Sequence, residues 1–291
     1  MLKLSRNKPN KNTNFTAVPE YLAKGRLKET YDKTKQVFNV PWMGVVAMAF
    51  SHYPNFYNSI FSYMKPLSKS REFNYLCKNL VIMSKKSALK LKPKSILDKL
   101  EKKGYNNLEV TNILNVNNIF TKGNMPYLIL ATLSRIFLEK GDLRNNNKFS
   151  INDLEVTNAN MSQLILVEEH HAEKEIKAVY NSIKKNLGLP FINTDYRAFA
   201  RWSSYFSIAW KSFLPSLHKK QYDIEVLKIH DYVVKNVLLL PNPKEINHQQ
   251  IIFAANKDKK LSEIKKVVKL FQWLLPGLIL NVAFMREQLK K

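Results

Sequence analysis

At 291 residues, 45% of them hydrophobic, the chain is long enough to bury a sizeable core as one large domain or two ordinary ones. A single cysteine, Cys77, excludes an internal disulfide and any zinc site built on several thiolates; its apolar neighbours mark it as a buried structural thiol. A net charge of +24 asks for a nucleic-acid or anionic-membrane partner, yet the lysines are spread along the chain and no helix-turn-helix, RNA-recognition or zinc-finger signature accompanies them. The charge therefore reads as solvated surface and argues against nucleic acid.

Only seven glycines, abundant Leu, Lys and Ile, and little sustained polar–apolar alternation predict an all-α protein. Residues 1–18 read as a disordered basic arm without the apolar core of a secretory leader. A helix over 19–38 leads to Pro41, a second runs over 44–63, and Pro66 breaks the chain before a third over 67–85. Short helices follow over 93–103 and 107–115, then Pro126 opens an apolar helix to 139. The asparagine-rich stretch 141–152 has no hydrophobic period and is the natural joint, with the boundary near 147. Beyond it, helical patterns cover 156–187, 194–213 and 222–237, a proline loop spans 240–243, and 261–289 closes the chain with a break or kink at Pro276. The longest apolar stretches, 126–138 and 272–285, are shorter than the roughly 18 to 20 residues a spanning helix needs, so they read as core and the protein as soluble and cytoplasmic, with no membrane partner.

The chain repeats itself. At an offset of 149 positions, Pro41 meets Pro190, Ala49 meets Ala198, Phe50 meets Phe199 and Pro66 meets Pro215. Aromatic residues fall on aromatic residues: Tyr53 on Trp202, Phe56 on Tyr205, Tyr57 on Phe206 and Phe61 on Trp210. Upstream, Tyr31 and Lys35 fall on Tyr180 and Lys184, and downstream 125–130 pairs with 275–280 at an offset of 150. This is the pattern of a tandem duplication, a pseudo-dimer within one chain, with helical repeats over 19–146 and 147–291.

The symmetry fails at one carboxylate: Asp195 stands where the first copy has Val46. Asn193 or Thr194 caps a helix start, which puts Asp195 in the first turn at the head of an aromatic stripe of Phe199, Trp202, Phe206 and Trp210. An acid there can simply favour the helix dipole. It can also act as a general base, with burial raising its pKa and the helix terminus, Arg197 and Arg201 lowering it.

These residues, above all LPFINTDYRAFARWSSYFSIAW at 189–210, resemble the group I 2-haloacid dehalogenases, all-helical enzymes some of which act on both enantiomers. The segments VPWMG at 40–44, GNMPYLILATL at 123–133 and LFQWLLPGLILNVAFMR at 270–286 agree, so the resemblance runs from about Leu27 to Arg286. It implies an active site between two helical repeats, a small-molecule substrate, and neither metal nor organic cofactor. Asp195 would activate a water that attacks C2 of a short 2-haloalkanoic acid, inverting the centre without an enzyme ester. Asn124 is the second polar residue the resemblance points to, with Asn118 as its rival. It also implies Trp42, Thr194, Val45 and Phe271 as substrate-binding positions, and Ser68 and Glu72 as a supporting hydroxyl–carboxylate pair. Ser203 departs from the pattern, standing where a proline would mirror Pro54, and the basic composition departs as well.

Competing constellations are weaker. Glu168, Glu169, His170, His171 and Glu173 lack metal-ligand spacing and read as a solvated helix face. His52 reads as a core or rim residue, and no nucleotide-binding glycine loop or nucleophile elbow is present. The alternative to the dehalogenase is a non-catalytic helical binding protein that kept the duplicated fold. A homo-oligomer is compatible with either.

Overall fold

The computed structural model describes residues 4–9, 13, 15–139, 141–143, 164–242 and 244–291. Among these the chain is all-helical, without a strand. The first six α-helices are α1 (Gly25–Phe38), α2 (Val45–Ser51), α3 (Pro54–Leu67), α4 (Arg71–Lys90), α5 (Leu97–Glu101) and α6 (Asn107–Leu138). The next six are α7 (Lys174–Leu187), α8 (Thr194–Phe199), α9 (Ser203–Leu217), α10 (Lys220–Val237), α11 (His248–Lys257) and α12 (Leu261–Glu287). The joint expected near 147 and the pattern expected from 156 fall outside the described residues.

Helix starts keep the sequence offset. α1 and α7 begin at 25 and 174, α2 and α8 at 45 and 194, α3 and α9 at 54 and 203, α4 and α10 at 71 and 220. Tertiary hydrogen bonds follow the same offset: Tyr31 Oη donates to Val18 O and Tyr180 Oη to Val167 O, while Lys35 pairs with Glu20 and Lys184 with Glu169.

Several expected boundaries are corrected. The helix expected over 19–38 is a single 3₁₀ turn, Glu20–Leu22, followed by α1, because Gly25 takes a left-handed φ of 51° that a continuing helix cannot. The helix expected over 44–63 is two, α2 and α3, bent at Tyr53 (φ −114°, ψ 81°), and Pro54 then opens α3 at a position where its missing N–H costs nothing. The helix expected over 194–213 breaks the same way at Trp202 (φ −107°, ψ 81°) although Ser203 follows. The bend therefore does not require the proline, and the aromatic stripe headed by Asp195 is shared between α8 and α9 rather than lying along one helix.

In the opposite direction, Pro126 and Pro276 do not break their helices: both sit inside the long α6 and α12. The apolar side chains around them are almost all buried, and that packing outweighs the roughly 3 kcal/mol an interior proline costs. α12 is long and apolar enough to cross a membrane by length and composition, but 89% of its most apolar window is buried inside the protein.

The described residues divide into two compact units that interleave the halves of the chain. The first contains Met1–Leu80, Gly123–Ser162 and Ile229–Pro276; the second contains Val81–Lys122, Gln163–Lys228 and Gly277–Lys291, as far as these stretches are described. In the first unit, the Asp258 carboxylate accepts from the backbone N–H of Asn55 and Phe56, satisfying orphan donors at the start of α3 from another helix. Tyr53 Oη donates to Glu263, and Phe38, Tyr127 and Trp42 pack edge to face or tilted.

Within the arm, the described residues Leu4, Ser5, Arg6 and Thr13 make contacts with the first unit. Arg135 donates to Ser5 O (2.9 Å), Arg6 donates to Trp273 O (3.2 Å) and lies over the Trp273 ring, and Leu4 and Thr13 are buried.

In the second unit, Phe199 packs on Phe120, Phe213 on Phe284, and Trp210 Nε1 donates to Ser182 Oγ. Asn117 ties α6 to α12 by donating to Val282 O and accepting from Thr121.

Candidate active site

α8 is six residues long and every one is buried, including Thr194, Asp195 and Arg197. Asn193 holds the N-cap position with extended backbone (φ −62°, ψ 152°), but its side chain makes no capping bond, and its buried Oδ1 has no hydrogen-bond partner. Thr194 and Asp195 follow as the first helical residues, as the sequence predicts.

Magnitudes decide what Asp195 is for. A carboxylate in a first turn gains about 0.3–1 kcal/mol from the dipole when it is exposed. Asp195 is only 2% exposed, and taking a carboxylate out of water costs several kcal/mol. The dipole alone does not repay that burial, so the carboxylate is held by more than its place at a helix start.

Two polar sets hold α8. Asn281 of α12 donates to Tyr196 Oη (2.8 Å) and accepts from Tyr222 Oη (2.9 Å). Burial first, opposed by the bond from Asn281, keeps the Tyr196 phenol well above its usual range and therefore protonated. On the other flank, Arg197 Nη1 donates to both Glu168 oxygens (2.6 and 2.8 Å) and Nη2 donates to Thr194 Oγ1 (3.1 Å). The backbone N–H of Val167 donates to Arg197 O, and Val167 O in turn receives the Tyr180 hydroxyl. The acidic–histidine stretch is thus no solvated helix face: it precedes α7, Glu168 pairs with Arg197, and Glu169 pairs with Lys184. Among the described residues no three His, Cys, Asp or Glu side chains gather as metal donors would.

The remaining sequence candidates, Asn118 apart, lie in the first unit. Trp42 is buried, its carbonyl accepts from Tyr127 Oη (2.7 Å), and its ring lies against Gly123 so closely that a Cβ there would stand 2.3 Å from Trp42 Cη2. Gly123 immediately precedes Asn124, which is 3% exposed on α6. The structure therefore brings Trp42 onto the turn of α6 that carries Asn124. Its rival Asn118 is only half-buried on the same helix. Val45 opens α2 and is half-buried; Gly44 before it packs on the Tyr127 ring.

Phe271 is buried on α12 against Phe50 of α2 (6.2 Å) and Phe15 of the arm (5.2 Å). Ser68 donates to Lys65 O beyond the end of α3, while Glu72 in the first turn of α4 keeps one buried oxygen without a partner. His52 is exposed at the bend between α2 and α3.

Sequence reasoning missed Asn281, Tyr222, Glu168 and Tyr127. A lone asparagine in the apolar run around 278–285 was the available signal for Asn281. Thr194 and Arg197, three apart on one helix face, were the signal for the second set.

No protein-family model matches the chain. A curated relative from Rhizobium sp. (strain NHG3), an (R)-2-haloacid dehalogenase, is 33% identical over 254 residues, 86% of this chain and 98% of that protein. An (R)-2-haloacid dehalogenase from Pseudomonas putida is 31% identical over 283 residues, 94% of this chain and 92% of that one. Among solved structures, a D-2-haloacid dehalogenase mutant in complex with D-2-CPA superposes with a TM-score of 0.86 at 29% identity, covering 98% of this chain and 99% of that chain.

Proposed function

This chain belongs to the 2-haloacid dehalogenase family, hydrolases of the carbon–halogen bond, and from that premise we propose that Asp195 is its general base. The observation that carries the reading is a carboxylate buried to 2% exposure in the first turn of α8, at the position where the first half of the chain has Val46. In the proposed reaction Asp195 takes a proton from water as the water oxygen forms a bond to C2 of a short 2-haloalkanoate. The C2–halogen bond breaks with inversion, and halide leaves with the bonding pair. No enzyme ester forms, and the chemistry calls for neither metal nor cofactor.

By the family resemblance, Asn124 is the second polar group of the proposed reaction, with the role of orienting the water. Trp42, Val45 and Phe271 supply apolar surface for the haloalkyl chain, and Thr194 a hydroxyl for the substrate carboxylate. The (R) descriptor of both curated relatives supports an (R)-2-haloacid as the preferred substrate.

The proposal includes a tandem-duplicated scaffold, supported by helix starts 149 residues apart and by the paired bonds of Tyr31 with Val18 and Tyr180 with Val167. A cytoplasmic setting accords with the single cysteine, whose thiol burial pushes well above its usual range.

Incubation with (R)- and (S)-2-chloropropionate, following halide and the configuration of the lactate, tests the reading. Halide from the (R) acid with (S)-lactate as product is expected. Retained configuration would refute direct attack by water, and no halide from either acid would refute the substrate class.

A further inference from the structure

The two halves of the chain provide an internal control for which polar residues the scaffold itself needs. At the 149-residue offset the scaffold residues persist with their bonds: Tyr31 and Tyr180, Lys35 and Lys184, Glu20 and Glu169, Val18 and Val167. Among the positions that change from apolar in the first half to polar in the second are four in or close to α8. Pro19 becomes Glu168, Val45 becomes Thr194, Val46 becomes Asp195 and Met48 becomes Arg197. Three of the four polar residues, Glu168, Arg197 and Thr194, form one connected set.

The first half of the chain does without that set at the equivalent positions. The set's ion pair is largely buried, with the Arg197 and Glu168 side chains 10% and 19% exposed. A buried pair of this kind about breaks even against an apolar pair of similar volume, and the first half fills the equivalent positions with proline and methionine.

Its geometry has a specific chemical consequence. A guanidinium can only donate, so when Arg197 Nη2 donates to Thr194 Oγ1 at 3.1 Å, the threonine oxygen is the acceptor. The hydroxyl's single hydrogen then has to point away from Arg197, and Thr194 is fixed as a donor. Glu168 keeps the guanidinium in place through two charge-assisted bonds to the same nitrogen, and the Val167 N–H bond to Arg197 O anchors the backbone beside it. Without Arg197 the hydroxyl rotor is free, and part of its population offers a lone pair to an approaching carboxylate.

We propose that Arg197, braced by Glu168, is a positioning residue that acts through Thr194, fixing its hydroxyl as a hydrogen-bond donor to the substrate carboxylate. The proposal rests on the reading of Thr194 as a substrate-binding residue in a 2-haloacid dehalogenase.

A double-mutant cycle tests it, using the first half's own residues as replacements: Arg197→Met, Thr194→Val and both together, assayed by halide release from (R)-2-chloropropionate. Arg197→Met is expected to raise KM about tenfold while kcat changes less than about threefold, the signature of lost uniform binding. In the Thr194→Val background the same change should move KM less than about twofold, because the group through which it acts is gone. Glu168→Gln, which keeps the shape of the side chain, should show the same dependence on Thr194 and guards against a misfolded methionine variant. Arg197→Lys should not restore KM, since one ammonium lacks the planar fork that reaches Glu168 and Thr194 together.

Equal KM effects of Arg197→Met in both backgrounds would overturn the proposal. So would a fall in kcat and melting temperature with KM unmoved, which is the outcome for a purely structural arginine. Wild-type protein releasing no halide from any 2-haloacid would remove the functional reading and the proposal with it.

Discussion

Gly123→Ala sets two opposed effects against each other at the wall beside Asn124. Gly123 lies inside α6, where alanine is favoured over glycine by about 1 kcal/mol. On propensity alone the substitution stabilises. Against this, the new Cβ would stand 2.3 Å from Trp42 Cη2, 2.8 Å from Trp42 Cζ3 and 2.8 Å from Val40 Cγ1. The indole is a rigid plane, buried, and packed against Tyr127 at a ring separation of 5.9 Å, so it cannot yield as a flexible chain end would.

Relieving the clash requires the ring or α6 to shift by about an ångström, and overpacking of this kind costs about 1–3 kcal/mol. The steric term wins, and net destabilisation of up to about 2 kcal/mol is expected from urea melts. Because the shift occurs where Trp42 meets the turn carrying Asn124, kcat/KM for halide release should fall by about 10²-fold. A variant stabilised by about 1 kcal/mol with unchanged kcat/KM would refute the reasoning, showing that Trp42 is not held against α6.

Asn281→Leu leaves the Tyr196 and Tyr222 hydroxyls without their shared partner in a buried site, which should cost about 1–3 kcal/mol for each stranded group that water cannot reach. Chemical melts measure this, and Tyr222→Phe combined with Asn281→Leu should cost less than the separate effects summed. His230 is fully buried, and burial first, with the Arg6 and Arg135 charges, holds its pKa below 6.5 against the raising effect of Asp231. The unfolded chain therefore binds the extra proton more readily, so stability from this group is complete above pH 6.5 and declines as pH falls towards the lower folded value. Melting temperature followed downward from pH 7 should drop less steeply in His230→Phe than in wild type; identical slopes would contradict the assignment.

Legibility in the sequence followed the range of the physics involved. The all-α class and the identity of most helices were readable because apolar periodicity and low glycine content are local signals. Helix ends were less so: the chain bends at both Tyr53 and Trp202, and Pro54 marks the bend in one half only. Pro126 and Pro276 misled in the other direction, since burial of the surrounding side chains carries α6 and α12 through them.

At the site, Asp195 stood out because the residue matches at an offset of 149 positions supply a comparison within the chain, with Val46 as the reference. Its burial was not legible, because it depends on tertiary packing that one segment does not encode. Arg197 was readable only as a nearby positive charge; that its fork joins Glu168 to Thr194 depends on residues 29 positions away. The arm illustrates the same limit, because Arg135 and Trp273, which hold Ser5 and Arg6, are distant in sequence and invisible to composition.

The most direct test of the account is Asp195→Asn, assayed for halide release from (R)-2-chloropropionate beside a melting curve. The amide keeps the shape of the side chain but cannot take a proton from water. Loss of at least about 10²-fold in kcat, with a cooperative melting curve that shows the variant folded, is the predicted result. Halide release within a few-fold of wild type by the folded variant would contradict the assignment of Asp195 as the base.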